Sequence, residues 1–100
     1  LKTKGSMMID TGAVAALHLG KSLLSVGVTG IEGDFHKGDA ICILNTDKHE
    51  IARGLTNYAA SDAKKIMGHK SSAFENILGY GGCAEMIHRD DLVLHAGKKS

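Results

Sequence analysis

The sequence has no proline and no tryptophan, only 4% aromatic residues, and two cysteines. Without proline there is no proline-rich recognition or spacer segment, and no low-complexity stretch or internal repeat takes its place. Cys42 and Cys83 lie far apart in unlike contexts, which excludes a CxxC pair and a disulfide framework. Cys42, inside the apolar run Ala40-Ile41-Cys42-Ile43-Leu44, reads as a reduced core thiol, whereas Cys83 follows Gly81-Gly82 in a loop. No apolar run approaches the ~20 residues a membrane-crossing helix needs, and Leu1-Lys2-Thr3-Lys4-Gly5 lacks the apolar stretch of a signal peptide. The expected compartment is the cytosol. Excess charge is missing too: 12 basic residues face 11 acidic ones, the net charge is +1, and the basic residues are scattered. With so few rings to stack on bases, the surface reads as solvated mixed charge rather than a nucleic-acid stripe.

Catalytic patterns are equally scarce. The six histidines (His18, His36, His49, His69, His88, His95) never fall at i, i+3 or i, i+4, and no H-E-x-x-H or Cys/His cluster occurs, so no metal site is expected. Asp90 and Asp91 are adjacent, and on a strand they would point to opposite faces. The G-x-S-x-G elbow is absent. Gly20-Lys21-Ser22 ends like a phosphate-binding loop, but the first glycine of that motif would fall at Ala15, and the segment closes a helix instead of opening one. Gly79-Tyr80-Gly81-Gly82 likewise follows a helix and reads as its cap and loop. These residues carry no cofactor site and no enzyme of their own.

What is present is a foldable chain: 43% apolar and 23% charged residues are ordinary globular values, and 100 residues make one domain. Asp10 to Leu19 is a short helix, capped by Asp10 or Thr11 and ended by Gly20. Leu23-Leu24 and Val26 to Ile31, with internal glycines, read as a strand that bends or is closely approached by another backbone. Ala40 to Leu44 and Glu50 to Tyr58, joined by Asn45-Thr46-Asp47-Lys48-His49, form an antiparallel hairpin. A second helix opens at Ser61 and ends at Gly68. A third opens on the capping-box pattern Ser72-Ala73-Phe74-Glu75 and closes at Gly79. Glu85 to His95 returns as one strand or a pair of short ones. Four or five short strands with three short helices favour a small mixed barrel. Residues 1–7 are expected to be a linker remnant, because the chain begins with Leu1 rather than Met, 8–95 the domain, and 96–100 a tail.

Three strings together resemble a known family. They are Ile9-Asp10-Thr11-Gly12-Ala13-Val14-Ala15-Ala16-Leu17 with Gly20-Lys21-Ser22-Leu23-Leu24; Gly33-Asp34-Phe35-His36-Lys37-Gly38-Asp39 with Ile51-Ala52-Arg53-Gly54-Leu55; and Leu78-Gly79-Tyr80 followed by Ile87-His88-Arg89-Asp90-Asp91-Leu92-Val93-Leu94. From about Gly5 to Leu94 the chain is similar to PUA domains. The first and last strings point to the branch at the C-terminus of glutamate 5-kinases. The resemblance implies a mainly β fold with short helices, a PUA-like mixed pseudo-barrel. It implies an N-terminal amino-acid-kinase domain on the same chain, which phosphorylates the side-chain carboxylate of L-glutamate with ATP and Mg²⁺ in the first step of proline synthesis. None of that domain's catalytic residues falls here, and a homo-oligomeric parent with a regulatory or oligomer-supporting PUA domain is expected. In RNA-binding members the first helix, the glycine-containing loop after it and the next strand contact RNA. The matching residues here are Gly20, Lys21, Ser22, Val26 and Gly27. Ser25 stands where the family usually has proline, which implies a less rigid loop. The rival reading is an RNA-binding module of an RNA-modifying or free-standing protein. A further reading makes Phe74, Ile77 and Leu78 an exposed contact face.

Overall fold

The computed structural model describes residues 2–95. In chain order these form β1 (Gly5–Ile9), α1 (Thr11–His18), β2 (Leu23–Leu24), a 3₁₀ turn (Ser25–Gly27), β3 (Val28–Gly33), β4 (Ala40–Leu44) and β5 (Glu50–Leu55). There follow α2 (Ala60–Ile66), a second 3₁₀ turn (Ser71–Ala73), α3 (Phe74–Leu78), β6 (Glu85–Ile87), a third 3₁₀ turn (Arg89–Asp91) and β7 (Leu92–Leu94). Five strands make one sheet in the order β3-β1-β4-β5-β7, and β2 pairs with β6 in a separate ribbon. The large sheet is mixed: β1 runs parallel to β4, while the β1–β3, β4–β5 and β5–β7 pairs are antiparallel. The expected mainly β fold with short helices is what forms.

Strict alternation places Met7, Ile9, Ile41, Ile43 and Ala52 on one face of the sheet, where all are fully buried. The same apolar cluster takes in Leu17 of α1, Ala60, Ala63 and Ile66 of α2, Phe74 of α3, and Met86 and Ile87 of β6. The helices and the ribbon therefore close over one side of the sheet. The hairpin forms as expected; Asn45 Oδ1 accepts from the amides of Asp47 and His49 at 2.9 and 3.0 Å and shapes its turn.

Several expectations change. Gly5–Met7, read as linker, belong to a strand paired on both sides, with β3 and with β4. The Lys-Thr-Lys run before it hid a strand in which Met7 and Ile9 are buried. The bent strand begins only at Val28, because Ser25–Gly27 turn in 3₁₀ form, and β5 stops at Leu55. The helix at Ala60 starts one residue before Ser61 and, like the helix at Phe74, has no side-chain cap, so the expected capping box does not form. Cys42 alternates away from the core: it is half-buried, and its thiol lies 3.3 Å from Thr3 Oγ1. The 96–100 tail lies outside the described residues.

Candidate functional site: a groove beside the first helix

Asp10 starts the local geometry. Its Oδ1 accepts from the Ala13 amide at 2.7 Å, which satisfies one of the free N–H groups at the start of α1. The helix ends in a Schellman motif: the Lys21 amide donates to Ala16 O at 3.1 Å and the Gly20 amide to Leu17 O at 3.0 Å. Gly20 adopts φ +81°, the left-handed conformation this motif requires. The chain is thereby turned back along the helix, and Lys21 and Ser22 lead into β2 beside it.

Between α1 and the segment after it lies a groove of about 410 Å³, lined by Asp10, Gly12, Ala13, Ala16 and the stretch from Lys21 through Leu24 to Val26 and Gly27. Its floor exists because Gly12, Ala13 and Ala16 keep the helix surface low. Gly27 is packed so close that a Cβ there would sit 2.6 Å from Ala13 Cβ. Leu24 and Val26, 46% and 48% exposed, stand beside this floor as apolar rims without cover among the described residues.

Two long-range bonds hold the walls. Ser25, 1% exposed, donates its hydroxyl to His69 O at 2.6 Å, and its own carbonyl accepts from the Gly68 amide at 2.8 Å. The turn at Ser25 is pinned by this side-chain bond to the loop after α2. Ser22 Oγ accepts from the Arg89 amide at 2.8 Å and ties the other end of the groove to the 3₁₀ turn Arg89–Asp91. Lys21 is exposed at this end of the groove, and the turn tied to Ser22 carries Arg89, Asp90 and Asp91, so the surroundings are of mixed charge. An apolar trough with Lys21 at its end can take a flat or extended ligand and one anionic group.

Of the residues expected from sequence, Lys21, Ser22, Val26 and Gly27 line this groove together, while Gly20 does not line it and acts through the helix cap. Sequence reading missed Ser25, His69 and Arg89 as wall-builders, because their partners lie 44 and 67 residues away. Phe74 is buried, and Ile77 and Leu78 pack against the core, so they form no exposed contact face. Among the described residues, no three His, Cys, Asp or Glu side chains are placed to hold a metal ion, and no helix is long and apolar enough to cross a membrane.

Elsewhere Glu50 and Tyr58 are electrostatically distinct. Glu50 Oε2 lies 2.5 Å from both Arg53 Nε and His95 Nε2. The hydrogen bond from Arg53, helped by that from His95 and opposed by partial burial, pulls its carboxyl down to about 2. Tyr58, buried and edge-on to Phe74 at 6.1 Å, donates to Cys83 O at 2.6 Å; burial pushes its phenol up to about 12.

Comparison with known proteins places this architecture. The model of the PUA domain family matches residues 5–78. Glutamate 5-kinases of Brucella ovis and Brucella canis are each 52% identical over 96 residues, covering 96% of this chain and 25% of theirs. The chain thus spans about a quarter of the length of the curated relatives it matches. Among solved structures, a PUA domain from Aeropyrum pernix K1, in a tartrate complex, superposes with TM-score 0.61 at 26% identity, covering 86% of this chain and 43% of that one. The archaeal box H/ACA sRNP Nop10–Cbf5 complex superposes with TM-score 0.57 at 20% identity, over 84% of this chain and 24% of that one.

Proposed function

Because the chain belongs to the PUA domain family, we propose that it is the noncatalytic C-terminal domain of a cytoplasmic glutamate 5-kinase, with a regulatory or oligomer-supporting role. The observation that carries this reading is the 52% identity to glutamate 5-kinases over 96% of the chain. General PUA character is shared with an archaeal box H/ACA sRNP complex and with an H/ACA RNP bound to a substrate RNA at 18–20% identity, far below that level. The chain itself is a PUA domain and not a kinase domain. Phosphoryl transfer from ATP with Mg²⁺ to the glutamate side chain belongs, on this proposal, to the remainder of the parent protein.

The test uses the parent protein with its native upstream sequence. Incubated with ATP, Mg²⁺, L-glutamate and hydroxylamine, it is expected to form the hydroxamate that traps an acyl phosphate. No glutamate-dependent product, from a protein that is folded, overturns the reading.

A second reading is favoured by one observation: the groove lined by Lys21, Ser22, Val26 and Gly27. A solved neighbour of this fold is described as an H/ACA RNP bound to a substrate RNA. An RNA role predicts binding that weakens steeply between low and physiological salt and falls with Lys21→Ala. RNA titrations showing no binding at low salt reject it.

A further inference from the structure

The outer face of the five-stranded sheet is a separate surface from the groove. Alternation turns Met8, Cys42, Leu44, Arg53 and Val93 away from the core, and none of them belongs to the buried cluster that unites the other face with all three helices. Cys42, Arg53 and Val93 stand in one register row across β4, β5 and β7. Val93 is 67% exposed, whereas Met8, Cys42, Leu44 and Arg53 are half-buried.

Both ends of the described chain lie on this face. Thr3 reaches over β4 to the Cys42 thiol at 3.3 Å, and the Lys4 amide extends the β1–β4 pairing by donating to Ala40 O. At the opposite edge the His95 amide donates to Ile51 O, and its ring meets Glu50 on the outer side of β5, where Arg53 also pairs.

We infer that the outer face of the sheet, around Cys42, Arg53 and Val93, is the docking surface for the part of the polypeptide that precedes Thr3. The inference rests on the C-terminal placement proposed above. Three observations support it. The relatives hold about three further lengths of chain beyond the quarter matched here; the chain enters the domain across this face; and the face mixes apolar side chains with a Glu50–Arg53–His95 ion cluster. Interfaces between domains of one chain are of this mixed kind, more polar than obligate interfaces. The groove is a poorer candidate for this partner, since the entering chain lies against Cys42 and not against α1.

The test compares two cysteine probes in the full-length parent with Cys42 and Cys83 replaced by serine. Val93→Cys reports the outer face, and Leu19→Cys, a position 74% exposed at the end of α1, reports the surface beside the groove. Similar exposure in the isolated fold makes their labelling rates by a small maleimide comparable. Docking is expected to slow Val93→Cys about tenfold or more relative to Leu19→Cys, and the ratio collapses when the chain is unfolded in urea. Equal rates, or a slowed Leu19→Cys with a fast Val93→Cys, overturn the inference. Protection that disappears on dilution assigns the cover to a second copy and overturns it as well. Hydroxamate formation measured on the same samples separates the two failures. An active kinase with equal labelling defeats only the docking surface, while an inactive folded parent defeats the placement beneath it.

Discussion

Exchanging the sizes of Gly27 and Ala13 tests the construction of the groove directly. A methyl added at Gly27 would lie 2.6 Å from Ala13 Cβ, a separation at which one of the two backbones must move. Gly27 is fixed because its carbonyl accepts from the Asp10 amide at 3.0 Å and its turn is pinned through Ser25. The helix is fixed through Leu17, which is buried in the core. Gly27→Ala is therefore expected to destabilise the chain by about 1–3 kcal/mol, the usual range for overpacking. Ala13→Gly alone should cost about 1 kcal/mol through helix propensity. In the double variant the new methyl occupies the space the old one left, so the cost falls close to that of Ala13→Gly, with a coupling energy of about 1 kcal/mol or more. Urea unfolding followed by far-UV circular dichroism reads all four corners of the cycle; with a slope of about 1–3 kcal/mol/M, the single Gly27→Ala change moves the midpoint by about 1 M. Strictly additive effects, or a neutral Gly27→Ala, would refute the argument that these two residues define the groove floor.

Three further outcomes follow from the same geometry. Ser25→Ala removes the buried hydroxyl bond to His69 O and should cost about 1–2 kcal/mol in urea unfolding, with faster hydrogen exchange at the Gly68 amide. Gly82→Ala would set a Cβ 2.1 Å from the Tyr58 hydroxyl and should cost about 2 kcal/mol, less in a Tyr58→Phe background where that oxygen is gone; equal costs in both backgrounds would sink the contact. Glu50, held at about 2 when folded against 4.5 ordinarily, contributes stability that is full above pH 4.5 and lost as pH falls through 2. Its side chain is 27% exposed, so solvent screening limits the effect to about 1 kcal/mol. The stability gap between wild type and Glu50→Gln, measured by urea unfolding from pH 7 to pH 2, should therefore close toward low pH.

What could be read from the chain separates by the range of the interactions that decide it. The first helix was legible because its signals are local: Asp10 caps three residues ahead and Gly20 closes the last turn. The hairpin was legible for the same reason, with Asn45 folding its own turn. β1 was not. A strand of Gly-Ser-Met-Met-Ile has weak propensity, and it exists because β3 and β4 supply partners on both sides, one antiparallel and one parallel. The caps at Ser61 and Ser72 failed in the opposite sense: a favourable local pattern was outweighed by the burial of Ala60 and Phe74, which sets where those helices begin.

The groove shows both regimes within one site. Lys21, Ser22, Val26 and Gly27 are near neighbours in sequence, so a family pattern over a few residues is enough to group them, and they line one groove. The bonds that tie this stretch to His69 and Arg89 span 44 and 67 residues, a range no local reading reaches. At Ser25 local and long-range effects meet. A proline would stiffen the turn by restricting φ in the unfolded as well as the folded chain. A serine leaves the unfolded chain freer and recovers order through its side-chain bond to His69 O. The stiffness of this turn should therefore fail with the α2–α3 connection, whereas a proline-containing relative should keep its turn when that connection loosens. Substituting Gly68, which donates to Ser25 O and adopts φ +80°, with alanine checks this. Labelling at a Val26→Cys probe should quicken in this chain and stay unchanged when Ser25 is proline.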